Sequence, residues 1–133
     1  MKITIKVNGK DTEIELTADQ VAHVKKQTEK ITDRIKTMAD VFSALGKTST
    51  HVGDKIELLA EALNEGWTPD WSNSTQCKYT PYFKWDGTGF SYYNSHFWTS
   101  YTSVSSRLCF KSAELAEYAG KQFQKEYNEY LNR

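Results

Sequence analysis

The chain has 133 residues, with 17 basic and 17 acidic side chains and a mean hydropathy of -0.68. That length suits a single domain able to bury a core without disulfides or metal. The balanced charge argues against a strongly basic nucleic-acid binder and against an acidic tail, while leaving room for a local basic patch. No apolar run approaches membrane-spanning length, and residues 1–6 alternate instead of forming an apolar signal core. The expectation is a cytoplasmic protein with no membrane partner. Cys77 and Cys109 are too few for a disulfide framework and read as small buried apolar groups.

Residues 2–16 predict a β-hairpin. Ile3, Ile5 and Val7 alternate with polar residues, Asn8-Gly9 follows, and Ile14 and Leu16 resume the alternation. Asn-Gly accepts the positive φ values of a type I′ turn. Thr17-Ala18-Asp19-Gln20 is a capping box that starts a helix. An apolar stripe then runs through Val21, Val24, Thr28, Ile31, Ile35, Met38, Phe42 and Leu45 at alternating spacings of three and four. The stripe reads as the cover of the protein's own sheet or as a coiled-coil seam, in which Thr28 is a weak core residue. Thr37 with Asp40 offers a fresh start for a short helix over 38–45, and Gly46 is its C-terminal cap. Gly46-Lys47-Thr48 is not a phosphate loop, because Val41 stands where the motif needs glycine and a helix precedes it instead of a strand. Asp54 caps a further helix carrying Ile56, Leu58, Leu59, Ala62 and Leu63, which ends at Gly66.

Residues 67–110 differ from the rest in composition. They hold all four tryptophans and five of the eight tyrosines, no Glu, and only Asp70 and Asp86 as acids. Trp67 to Ser74 reads as a structured loop whose two indoles dock at a sheet edge. After it, three strands over 76–85, 90–98 and 104–110 predict an antiparallel meander. Tyr79, Phe83 and Trp85 share one face of the first strand, Lys78, Tyr82 and Lys84 the other, and Pro81 marks an edge or a bulge. Facing in the second strand is ambiguous, since Tyr92-Tyr93 and Phe97-Trp98 break the alternation. In the third strand Val104, Leu108 and Phe110 point inward, Ser105, Arg107 and Cys109 outward. Ser112 caps a last helix with Leu115, Ala116, Ala119, Phe123 and Tyr127 as its buried stripe, and Ala116, Ala119 and Gly120 let it approach the sheet closely. The fold class is therefore α+β: an N-terminal hairpin and helices, then a three-stranded antiparallel meander packed by a C-terminal helix.

Catalytic chemistry finds little footing. His23, His51 and His96 lie in three separate elements without metal-ligand spacing, and paired carboxylates are nearly lacking in the aromatic stretch. No catalytic, metal or cofactor residue is assigned. A binding face is the alternative, because residues 88–106 are rich in Tyr, Ser, Thr and Asn, the composition of adaptable recognition surfaces. Arg107, Lys78, Tyr82, Lys84, Tyr92, Tyr93, Trp98 and Tyr101 are its candidate residues, suited to a protein or to a small anion flanked by rings. An ordinary solvated face with cross-strand pairs explains the same residues.

Three phrases carry a resemblance: Leu59-Ala60-Glu61-Ala62-Leu63-Asn64-Glu65-Gly66-Trp67-Thr68-Pro69-Asp70-Trp71, then Arg107-Leu108-Cys109-Phe110-Lys111-Ser112, then residues 114–123. They resemble small uncharacterised proteins encoded by phages and prophages of gut Bacteroidetes, over residues 37–131. The resemblance implies a bacterial cytoplasm under phage control and gives no residue a catalytic role. Expected partners are a host protein or a small anionic or nucleotide ligand, with a homo-oligomer as a further possibility. The leading expectation is a non-catalytic accessory protein, one form of which sequesters a nucleotide signal in counter-defence. A virion or assembly component and a single-stranded nucleic-acid binder are the alternatives, the last disfavoured by the neutral charge.

Overall fold

The computed structural model describes residues 2–15, 17–20 and 30–132. Contacts divide the chain into two compact units, Met1–Lys30 and Ile31–Arg133. In the first, β1 (Lys2–Val7) and β2 (Lys10–Glu15) pair antiparallel from Lys2↔Glu15 to Val7↔Lys10. Asn8 and Gly9 turn the corner at φ 52 and 81, the positive values that a type I′ turn requires. Thr17 and Gln20 form the reciprocal capping box, and residues 18–20 are helical. The part of the apolar stripe at Val21, Val24 and Thr28 lies outside the described residues.

In the second unit helices precede and follow one hairpin along the chain. A single turn, α1 (Ile31–Arg34), precedes α2 (Met38–Leu45). The fresh helix at Thr37 is present. Thr37 accepts from the Asp40 backbone, the Asp40 carboxylate accepts from the Thr37 backbone, and Gly46 closes the helix at φ 65. The third helix, α3 (Val52–Asn64), starts earlier than Asp54 predicts. His51 is its N-cap, and Asp54 sits inside the first turn, where it favours the helix dipole and accepts the Ser49 hydroxyl at 2.9 Å.

The aromatic stretch holds two strands instead of three. β3 (Lys78–Trp85) and β4 (Phe90–Trp98) pair antiparallel, with a bulge at Tyr82/Phe83. Tyr82 faces Asn94 and Phe83 faces Tyr92, so Tyr93 is the extra residue. That insertion is why Tyr92-Tyr93 breaks the alternation. The expected third strand survives as one bridge, in which Tyr79 and Phe110 exchange backbone hydrogen bonds at 2.9 and 2.7 Å. Residues Ser106–Leu108 instead form a 3₁₀ turn. The Ser105 hydroxyl accepts from the Arg107 backbone, and Leu108 and Cys109 donate back to Ser105 and Ser106, so local bonds outcompete a strand ladder. With the turn in place, strand alternation no longer governs Cys109, which is buried and not outward.

The last helix is two: α4 (Ala113–Gln122), capped by the Ser112 hydroxyl, and α5 (Gln124–Leu131), separated at Phe123. Leu115, Ala116, Ala119, Phe123 and Tyr127 are all buried, in one cluster with Val41, Ile56, Leu59, Leu63 and Phe110. Both helices pack on the side of the sheet that carries Pro81, Phe83 and Tyr92. Phe83 stacks 4.9 Å from Tyr127, and a Cβ on Gly120 would lie 2.4 Å from the Tyr92 ring and 3.0 Å from Pro81. Side chains of α5 also seal one sheet edge, where Asn128 and Gln124 accept from the backbones of Phe90 and Tyr92.

Candidate functional site

Because the helices take one side of β3–β4, alternation delivers Lys78, Thr80, Tyr82 and Lys84 to the other, with Tyr93, His96 and Trp98 from β4. At the bulge end, Tyr82 and Tyr93 are 58% and 61% exposed. Their rings lie 6.1 Å apart at 60°, and the Lys84 ammonium sits 5.8 Å from the centre of the Tyr93 ring. Further along, His96 meets Trp98 edge-on at 4.6 Å, and the Trp98 indole donates to Thr80 at 3.2 Å. β3 and β4 contain Lys78, Lys84 and His96 and no carboxylate.

The predicted site residues thus separate into six environments. Tyr82, Lys84 and Tyr93 form an exposed cluster. Trp98 is half-buried beside His96, and Tyr101, 87% exposed, projects from the segment after β4. Tyr92 is on the packed side, edge-on to Phe83, with its hydroxyl 2.8 Å from Ser95, so it is not part of the open face. Lys78 lies on the expected side but is fully buried, because residues 70–76 fold over that end of the sheet.

Arg107 lies elsewhere. It lines a groove of about 830 Å³ between α3 and the Trp67–Pro69 loop, together with Lys47, Glu57, Glu61 and Ser106. Its side chain is 76% exposed, and its guanidinium is 3.5 Å from Glu57, with Lys47 pairing Glu61 at 3.2 Å nearby. The expected strand position of Arg107 is therefore corrected: the 3₁₀ turn removes it from the sheet and sets its guanidinium beside a carboxylate. Burial pushes the Cys109 thiol up to about 11, and its Sγ donates to the Ser105 carbonyl, 3.7 Å away.

Sequence reasoning missed Asn64. Buried at the end of α3, it donates to the Cys109 carbonyl at 2.8 Å and accepts from the Lys111 backbone at 3.0 Å. Trp71 adds an indole bond to Ser106 at 2.6 Å. Residues 59–71 and 107–112 are therefore neighbours in space. An Asn near the C-terminus of an amphipathic helix, on its apolar side, was the available signal. No family model, curated protein or solved structure matches this chain.

Proposed function

We infer that the chain is a non-catalytic phage accessory protein that docks on a host protein through the open side of its aromatic sheet. The observation that supports this is the Tyr82–Tyr93–Lys84 cluster: two rings more than half exposed, side by side, with a cation over one of them. Exposed tyrosines on a hydrogen-bonded sheet supply rigid contact area at low entropic cost, the property of interface anchors. Side chains exposed to this degree suit contact with a protein better than a small ligand needing a concave seat. With the Lys84 ammonium exposed and no carboxylate on β3 and β4, the partner should present acceptors or acidic groups to it.

The groove at Arg107 favours a second reading, capture of a small anionic or nucleotide ligand, because its volume falls in the small-molecule range. Three acids, Asp54, Glu57 and Glu61, line it against Lys47 and Arg107, which makes it a poor seat for phosphate. The location that goes with docking on a host protein is the bacterial cytoplasm, and a self-associating virion role and single-strand binding rank behind. Lys84 is the one exposed Lys or Arg on the two strands, too few for a backbone-tracking channel. Affinity capture from phage-infected host lysate with wild type, a Tyr82→Ala/Tyr93→Ala variant and Arg107→Ala separates the two. Host protein lost only from the tyrosine variant supports docking on the sheet. A metabolite lost only from Arg107→Ala supports the groove.

A further inference from the structure

Lys78 has no carboxylate within ion-pair distance among the described residues, the Asp70 carboxylate feeling its charge from farther off, yet it is fully buried. Its ammonium donates to three backbone carbonyls, those of Asn73 at 3.0 Å, Gln76 at 2.8 Å and Thr99 at 2.7 Å. The Trp71 ring covers it, with its centre 5.1 Å away. An ammonium has three donors, and here each has its own acceptor. Three convergent carbonyls under an aromatic face are the arrangement that binds a free primary ammonium or a monovalent cation. The carbonyls come from separate places: two from the 70–76 loop and one from the residue just after β4. Among the described residues no other hydrogen bond joins the loop to Thr99 at this point. Apart from the Trp71 indole bond to Ser106, the loop's other bonds are internal, with Asp70 accepting Ser72, Asn73 accepting Thr75, and Gln76 accepting the Asp70 backbone.

We propose that the Asn73, Gln76 and Thr99 carbonyls with the Trp71 ring form a primary-ammonium site, which the protein fills with its own Lys78 side chain. This tethered cation, and no ion pair, holds the Trp71 loop on the covered end of the sheet. It also fixes one wall of the Arg107 groove, because Trp71 in turn donates to Ser106. Buried charge is tolerable here only because carbonyl dipoles and the indole face replace its water. An uncharged side chain of the same length would leave the Gln76 and Thr99 carbonyls facing hydrocarbon and the Asn73 carbonyl with the Gln76 amide alone. A shortened side chain would leave a vacant site of the right chemistry for an external alkylammonium.

The test is chemical rescue. Lys78→Gly should melt well below wild type, and n-butylammonium should raise its melting temperature with the logarithm of added amine, as a ligand of the native state does. Wild type should not respond. Tetramethylammonium, which cannot donate, and sodium should be at least tenfold less effective. Trp fluorescence of Lys78→Gly should return toward wild type over the same concentrations, which a general salt effect would not produce. If Lys78→Gly does not fold, recovery of soluble protein on refolding with butylammonium serves as the readout. Lys78→Met isolates the charge: it should melt well below wild type and show no rescue. Equal stability of Lys78→Met and wild type would overturn the proposal, as would a Lys78→Gly variant that responds to tetramethylammonium as well as to butylammonium, or to neither.

Discussion

Gly120→Ala is the sharpest probe of how the C-terminal helix meets the sheet. In a solvent-exposed helix the change stabilises by about 0.5–1 kcal/mol, because alanine loses less backbone freedom on folding. Here the new methyl would stand 2.4 Å from a Tyr92 ring carbon, about 1.1 Å short of an ordinary carbon contact near 3.5 Å. The ring has little freedom to yield, since its hydroxyl is bonded to Ser95 and its edge packs on Phe83. The methyl also meets Pro81 at 3.0 Å, a rigid ring in a strand. Overpacking of this kind costs about 1–3 kcal/mol, so a net loss of about 1–2 kcal/mol is expected. Urea denaturation measures it, as a lower midpoint at unchanged slope. In a Tyr92→Ala background the cost of Gly120→Ala should fall by at least half, because the two residues couple directly. A midpoint raised by Gly120→Ala in the wild-type chain would refute the close approach of α4 and β4.

Other outcomes follow from the same geometry. Asn64→Leu should destabilise by about 2–3 kcal/mol in urea denaturation, because it leaves the buried Cys109 carbonyl and Lys111 amide unpaired. Phe110→Ala, at a fully buried ring, should cost about 3–5 kcal/mol in the same assay. Arg107→Ala should cost under about 1 kcal/mol, since its pair with Glu57 is exposed. Burial raises the Cys109 thiol from its ordinary 9.0 to about 11. The unfolded chain therefore releases that proton first, so the contribution is complete below about pH 9 and is lost as pH rises toward 11. Cys109→Ala should flatten the alkaline decline in thermal stability, and an unchanged profile would show that another group causes it.

What the sequence reveals depends on how local the determining interaction is. The hairpin at Asn8-Gly9, the capping boxes at Thr17 and Thr37, and the caps at Gly46 and Ser112 are all set within a few residues, and each is present as read. The buried stripe of the last helices is likewise a matter of periodicity. The third strand fails because Ser105 offers its neighbours a turn that periodicity cannot register. The ambiguity at Tyr92-Tyr93 was a true signal, of a bulge. The site was partly legible: alternation puts Tyr82 and Lys84 on one side. It could not show that the 70–76 loop buries Lys78, or that Arg107 pairs with a glutamate fifty residues earlier in the chain. Those facts belong to contacts between distant segments, to which strand alternation is blind.

The central claim is that the open aromatic side of the sheet is where this protein meets its partner. Quantitative affinity capture from phage-infected host cells, with Tyr82→Ala/Tyr93→Ala beside wild type and Arg107→Ala, tests it most directly. Circular dichroism first confirms that all three are folded, as expected for substitutions at exposed side chains. One host protein should be retained by wild type and Arg107→Ala, and depleted at least tenfold with the tyrosine variant. The same proteins retained equally by all three would contradict docking through the sheet.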